Sequence, residues 1–111
     1  MIAIVGAGMM GSSLSAPFLA NGHDVRLVGT PLDREIIGAL KASAPHPKLK
    51  ETLPGIPAYF SEELEQALQG ADAIALGVSS AGVRWAAEAL GPHFARSPKP
   101  VMASVNGAAA G

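Results

Sequence analysis

Met1-Ile2-Ala3-Ile4-Val5-Gly6-Ala7-Gly8-Met9-Met10-Gly11 opens the chain, and its two halves obey different rules. The first five residues are apolar without a break, as a strand buried on both faces requires. Three glycines then follow at spacings of two and three, ahead of a stretch with helical periodicity. Strand, glycine-rich turn and helix in this order form the phosphate-binding turn of dinucleotide sites. Glycine at 6 lets the strand turn sharply, glycine at 8 lets the backbone approach a diphosphate, and glycine at 11 lets helix and sheet pack closely. The helix N-terminus adds unpaired N–H groups and roughly half a positive charge, so an anion needs no basic side chain there. Gly6, Gly8, Met9, Met10 and Gly11 are therefore the first candidate cofactor-binding residues.

With 13 glycines in the chain, such a turn can arise by composition alone, so its context decides. Working outward, a helix over residues 10–21 carries Leu14 and Phe18 on one face and ends at Gly22, a residue suited to the left-handed conformation after a helix. Pro17 inside it predicts a kink. A second apolar run over residues 24–28 completes a strand–helix–strand unit within about thirty residues. Thr30, Pro31 and Asp33 then mark a helix start, as N-cap, first helical residue and capping-box acid. Leu32, Ile36, Ile37 and Leu40 give that helix its apolar face.

Residues 44–57 contain four prolines together with Lys48 and Lys50, which predicts a long loop. A short strand over 58–60 precedes a helix capped by Ser61, with Leu64, Ala67 and Leu68 buried and Gly70 as its stop. Ala73-Ile74-Ala75-Leu76-Gly77-Val78 reads as a central parallel strand. Ser79-Ser80 opens a further helix bearing Val83, Ala87 and Leu90, which Gly91-Pro92 should end. Val101-Met102-Ala103-Ser104 is a last strand, stopping at Asn106-Gly107. The alternation predicts an α/β fold: a Rossmann-type, doubly wound parallel sheet of about five strands in the order 3-2-1-4-5. Ligands in such sheets bind beyond the carboxyl ends of the strands, which gathers the first turn, Gly29-Thr30, Val78-Ser79-Ser80 and Asn106-Gly107 around one crevice.

Composition removes several function classes. The 111 residues make one domain, residues 1–111, and 49% apolar content suits a globular core. No cysteine is present, and His23, His46 and His93 are scattered without ligand spacing, so no metal site is expected and each histidine is assigned to the surface or a loop. A net charge of −1 without a basic stripe argues against nucleic acid. No run approaches the roughly 18 apolar residues of a membrane span, and Met1 leads into a strand rather than a leader, so a cytoplasmic location is expected. Glu62, Glu63 and Glu65 read as a solvated helix start, and Ser79 and Ser80 as cap or ligand contacts, since no histidine is placed to activate them.

Which dinucleotide binds depends on the end of the second strand. NAD sites place an acid there to bond the ribose hydroxyls, and this chain has Gly29. Nothing at that point repels a 2′-phosphate, and Thr30, Arg34 or a loop lysine can hold it. NADP is thus favoured over NAD.

Gly6-Ala7-Gly8-Met9-Met10-Gly11, Asn21-Gly22-His23-Asp24-Val25, Gly29-Thr30, His46-Pro47, Leu53-Pro54-Gly55, Gly70-Ala71-Asp72 and Gly77-Val78-Ser79 together resemble NAD(P)-dependent glycerol-3-phosphate dehydrogenase, its archaeal-type members above all. The resemblance covers essentially the whole chain. It implies hydride transfer between dihydroxyacetone phosphate and sn-glycerol 3-phosphate, a small-molecule phosphate substrate, room for a homo-oligomer, and a separate helical substrate domain that is absent from these residues. It places the cofactor turn on Gly6, Gly8, Met9, Met10 and Gly11, an adenosine-side contact on Thr30, and a fourth-strand contact on Val78-Ser79-Ser80, where many relatives have Val-Pro-Ser. After the fifth strand the family carries Ser/Thr-Lys-Gly, and here Asn106 stands in place of that catalytic lysine. An amide can bond a carbonyl or hydroxyl but brings no charge to a phosphate or developing alkoxide. The family's second lysine, its proton donor, belongs to the other domain, so these residues alone are catalytically incomplete. Two alternatives stand beside this reading: another NADP-dependent reductase, of ketopantoate or hydroxyacid type, and a stand-alone nucleotide-sensing module.

Overall fold

A computed structural model describes residues 1–47, 56–98 and 100–106. Lys48, Lys50 and Leu53-Pro54-Gly55 of the long loop, and the Gly107 to Gly111 tail, lie outside the described residues. The strands are β1 (Ile2–Val5), β2 (Val25–Val28), β3 (Ala58–Tyr59), β4 (Ala73–Ser79) and β5 (Val101–Asn106). The helices are α1 (Met9–Ala20), α2 (Arg34–Lys41), α3 (Leu64–Leu68) and α4 (Ser80–Arg96), with single 3-10 turns at Pro31–Asp33 and Ser61–Glu63 leading into α2 and α3. The parallel sheet runs β3-β2-β1-β4, and β5 pairs with β4 on its outer side.

β1 lies at the centre, with Ile2 beside both Val25 and Ala73. Successive side chains of a strand point to opposite faces, and the core divides accordingly. Ile2 and Ile4 join Val25, Leu27, Ile36 and Ile37, covered by α1 and α2. Ala3 and Val5 join Val28, Ile74, Leu68 and Leu90, covered by α3 and α4. All four β1 residues are buried, which is why its sequence shows no polar alternation.

Both prolines expected to disturb a helix lie inside one. α1 runs through Pro17 and α4 through Pro92, four residues beyond the expected stop. Each ring removes the donor for the carbonyl four residues earlier, on Ser13 or Glu88. Those residues and both prolines are exposed, so water can take the missing partner's place. The buried face of α4 also differs from the expected one: Gly82, Ala86 and Leu90 face the core, while Val83 and Ala87 are exposed along an apolar groove with Leu76, Val78 and Phe94. Gly82 makes the closer approach possible, because a Cβ there would sit 3.3 Å from the Val78 Cβ. Trp85 packs against the α3/α4 side of the core.

Ser61 does not cap the turn before α3. Phe60 holds that position, and the Glu63 carboxylate accepts its N–H at 2.9 Å. At the far end of α3, Arg26 Nη1 donates to the carbonyls of Gln66, Ala67 and Gln69 at 3.1, 3.3 and 2.8 Å. One guanidinium thus serves three carbonyls at a helix end, where main-chain donors are scarce. Among the described residues no helix is long and apolar enough to cross a membrane, and no cluster of His, Asp or Glu is arranged for a metal.

Candidate dinucleotide site

The turn after β1 is shaped by contacts at two of its three glycines. Gly6 has φ +113, in the region L side chains rarely adopt, and a Cβ there would sit 2.2 Å from the Gly77 carbonyl oxygen. A Cβ at Gly11 would sit 1.8 Å from the Gly6 oxygen and 3.1 Å from that of Gly77. Helix α1 therefore starts in backbone contact with the turn and close to β4, and buried Ser12 and Ser15 continue the small-residue face. Gly8 is different. Its torsions, φ −67 and ψ −173, suit any residue, and a Cβ there would meet nothing within 4 Å.

Three side chains hold the turn from behind. The Ala7 N–H donates to Asp33 Oδ2 at 3.0 Å, and the same oxygen accepts the Thr30 N–H at 2.9 Å. The Ala7 carbonyl accepts from Ser12 Oγ at 2.9 Å and from His46 Nε2 at 2.8 Å. His46 is wholly buried. Its assignment as an ordinary surface or loop histidine is thus corrected: it lies in the loop after α2, yet reaches the core side of the first turn. Nothing in periodicity or ligand spacing marked it, because its partner is 39 residues away and is a main-chain atom.

Thr30 and Asp33 form the expected helix start, with Thr30 Oγ1 accepting from the Leu32 N–H at 3.2 Å. Asp33 does more than cap, since it also ties the first turn to the second. Gly29 could not be replaced by an acid without repacking: a Cβ there would lie 2.6 Å from Ile37 Cγ1 and 3.0 Å from Asp33 Cβ. Arg34 is exposed and paired with both oxygens of Glu62 at 2.9 Å, and its guanidinium lies 4.5 Å from the centre of the Phe60 ring. Lys41 flanks the same ring and bonds Glu63 at 2.8 Å. Main-chain bonding at Glu62, then Arg34, holds the Glu62 carboxyl below its ordinary value. Lys41, then the Phe60 N–H, does the same for Glu63.

On the other side of β1, Val78 is buried beside Gly6, whereas Ser79 and Ser80 are exposed at the start of α4. Ser79 occupies the cap position without a side-chain bond to the helix. Asn106 ends β5 in register with Ser79. Across the opening, a Cβ at Gly82 would lie 3.7 Å from Thr30 Cγ2, so the start of α4 meets the β2 side. The carboxyl ends of the strands therefore bring the first turn, Thr30 and Val78-Ser79-Ser80 together. Arg34 stands on the outer rim with its charge engaged.

Residues 1–108 match the family described as NAD-dependent glycerol-3-phosphate dehydrogenase N-terminus. The NADP(+)-dependent glycerol-3-phosphate dehydrogenase of Archaeoglobus fulgidus is 43% identical over 83 residues, 75% of this chain and 25% of that protein. The glycerol-3-phosphate dehydrogenase [NAD(P)+] of Shouchella clausii is 33% identical over 109 residues, 93% of this chain and 30% of that protein. In fold, the chain is similar to the crystal structure of glycerol-3-phosphate dehydrogenase from Coxiella burnetii, with a TM-score of 0.75 at 21% identity over 94% of this chain and 31% of that one. The chain spans about a quarter to a third of the length of these relatives. It belongs to the family of the N-terminal domain of NAD-dependent glycerol-3-phosphate dehydrogenase.

Proposed function

We propose that residues 1–111 are the NADP(H)-binding domain of a dehydrogenase that interconverts dihydroxyacetone phosphate and sn-glycerol 3-phosphate, with much of the substrate site in a helical domain outside these residues. Gly8 carries the reading. Neither torsion nor space requires a glycine there: the torsions are ordinary, the space beside it is open, and a helix N-cap accepts Ser, Thr, Asp or Asn equally well. A diphosphate does ask for one, because a side chain would stand between it and the first amides of α1. When bound, the nicotinamide supplies the hydride, and the chain's own part is to bind and orient.

Preference for NADP has three supports. Gly29 leaves no acid at the end of β2 to repel a 2′-phosphate, and packing against Ile37 closes that position to one. Both main-chain bonds to Asp33 engage its carboxylate inward. Arg34 is exposed at the rim, where a 2′-phosphate would compete with Glu62 for its planar guanidinium. The name of the Archaeoglobus relative agrees with that preference. Thr30 orients this edge through its cap, Val78-Ser79-Ser80 border the nicotinamide side, and Asn106 offers an amide to the substrate's carbonyl or hydroxyl without adding charge.

Titration of the chain with NADPH and NADH, followed by nucleotide fluorescence, tests the proposal. Saturable binding, tighter for NADPH, is the expected result. Failure of both nucleotides to bind overturns it. Tight binding without reduction of dihydroxyacetone phosphate, even when the substrate domain of a relative is supplied, would favour the nucleotide-sensing reading instead.

A further inference from the structure

The buried bonds around Ala7 do something that a helix start does not require. In a trans peptide the C=O and the following N–H point in opposite directions. No cis bond occurs among the described residues. The Ala7 carbonyl points inward to Ser12 and His46, so the Gly8 N–H points the opposite way, away from those buried donors. The open space beside Gly8, where a side chain would meet nothing, is the one proposed for the diphosphate.

Glycine at 8 creates a difficulty as well as an opening. Rotation of the peptide plane between residues 7 and 8 moves ψ of Ala7 and φ of Gly8, and glycine accepts positive φ as readily as negative. Position 8 itself therefore does little to stop that peptide turning over and presenting its carbonyl oxygen to an anion. The restraint comes from outside the turn. A carbonyl oxygen can only accept, so His46 Nε2 and Ser12 Oγ both donate to it, and turning the peptide would strand two buried donors. Asp33 fixes the preceding peptide in the same way through the Ala7 N–H.

We propose that His46, with Ser12 and Asp33, is a positioning residue for the dinucleotide: it locks the Ala7–Gly8 peptide so that the Gly8 N–H faces the diphosphate. This rests on the nucleotide reading above. His46→Phe removes the donor, whereas His46→Gln can return an N–H to nearly the place of Nε2. Each variant is compared with wild type by NADPH titration, by urea midpoint and by the Gly8 amide signal in 1H–15N spectra without nucleotide. His46→Phe is expected to weaken NADPH about tenfold and to broaden or double the Gly8 signal, with His46→Gln restoring both. If His46→Phe does not fold, Ser12→Ala decides, with an expected loss of about threefold in NADPH affinity. Unchanged affinity and a single sharp Gly8 signal in the folded variants overturn the proposal, as does a Gln variant that recovers the urea midpoint but not the affinity. Failure of wild type to bind either nucleotide is a different result and overturns the nucleotide reading, leaving the Gly8 signal as the test of the lock.

Discussion

The turn after β1 and the ionic patch joining α2 to the start of α3 both use polar side chains to tie distant segments together, and they do so in opposite solvent environments. At the turn, His46 and Ser12 are buried and each bonds a main-chain atom. At the patch, Arg34 and Glu62 are more than half exposed and bond each other. A bond to a buried peptide fixes where the backbone points, because the group it would abandon cannot turn to water. An exposed ion pair exchanges easily with water, salt or another anion, and contributes little to stability. The turn is thus built to be rigid, and the rim is built so that Arg34 can change partner.

The largest effect should follow from filling the turn. Gly11→Ala places a methyl 1.8 Å from a main-chain oxygen that has no room to move, and is expected to cost about 3 kcal/mol or more in a urea unfolding curve. A folded Gly11→Ala protein of wild-type stability would mean that the turn yields, and the contrast with the rim would fail. Gly8→Val should separate fold from function. Its unfolding midpoint should fall only slightly, because the site is open and valine forfeits no more than glycine's advantage as an N-cap, while NADPH affinity falls about a hundredfold or more.

An intermediate case is Arg26, half-buried and donating to three carbonyls at the end of α3. Arg26→Met keeps most of the stem and removes the donors, with an expected loss of about 1–2 kcal/mol. The smallest effect belongs to the patch. Folding lowers the Glu62 and Glu63 carboxyls below their ordinary values, so their contribution is complete above the ordinary glutamate range and is lost as pH falls through the lowered values. Glu62→Gln should flatten the acid limb of a stability–pH curve slightly and leave stability at neutral pH nearly unchanged. A large loss at neutral pH would mean that the exposed pair carries stability as a buried one does.

The parts of the site legible in the sequence are those encoded locally. Glycine spacing after an unbroken apolar run marked the first turn, and Thr30-Pro31-Leu32-Asp33 marked the second, since caps act within three residues. His46-Pro47 entered the family resemblance, but the inward turn of His46 was not legible, because a proline-rich loop carries no periodicity to reveal which side chain turns inward. Pro92 misled because the cost of an interior proline depends on whether the carbonyl behind it is wet, which only the exposure of Glu88 reveals. The rotated face of α4 has a related cause: Gly82 adds nothing to an apolar pattern, yet lets the helix approach Val78. Asp33 was read as a cap, and its second bond, to Ala7, joins loops 26 residues apart.

Following the main-chain amides of residues 8–11 by 1H–15N spectroscopy during an NADPH titration tests most directly whether the turn itself grips the diphosphate. Saturable shifts at Gly8 and its neighbours, at the same nucleotide concentration that changes the fluorescence, are the expected result. Saturable binding that leaves those amides undisturbed would contradict the assignment.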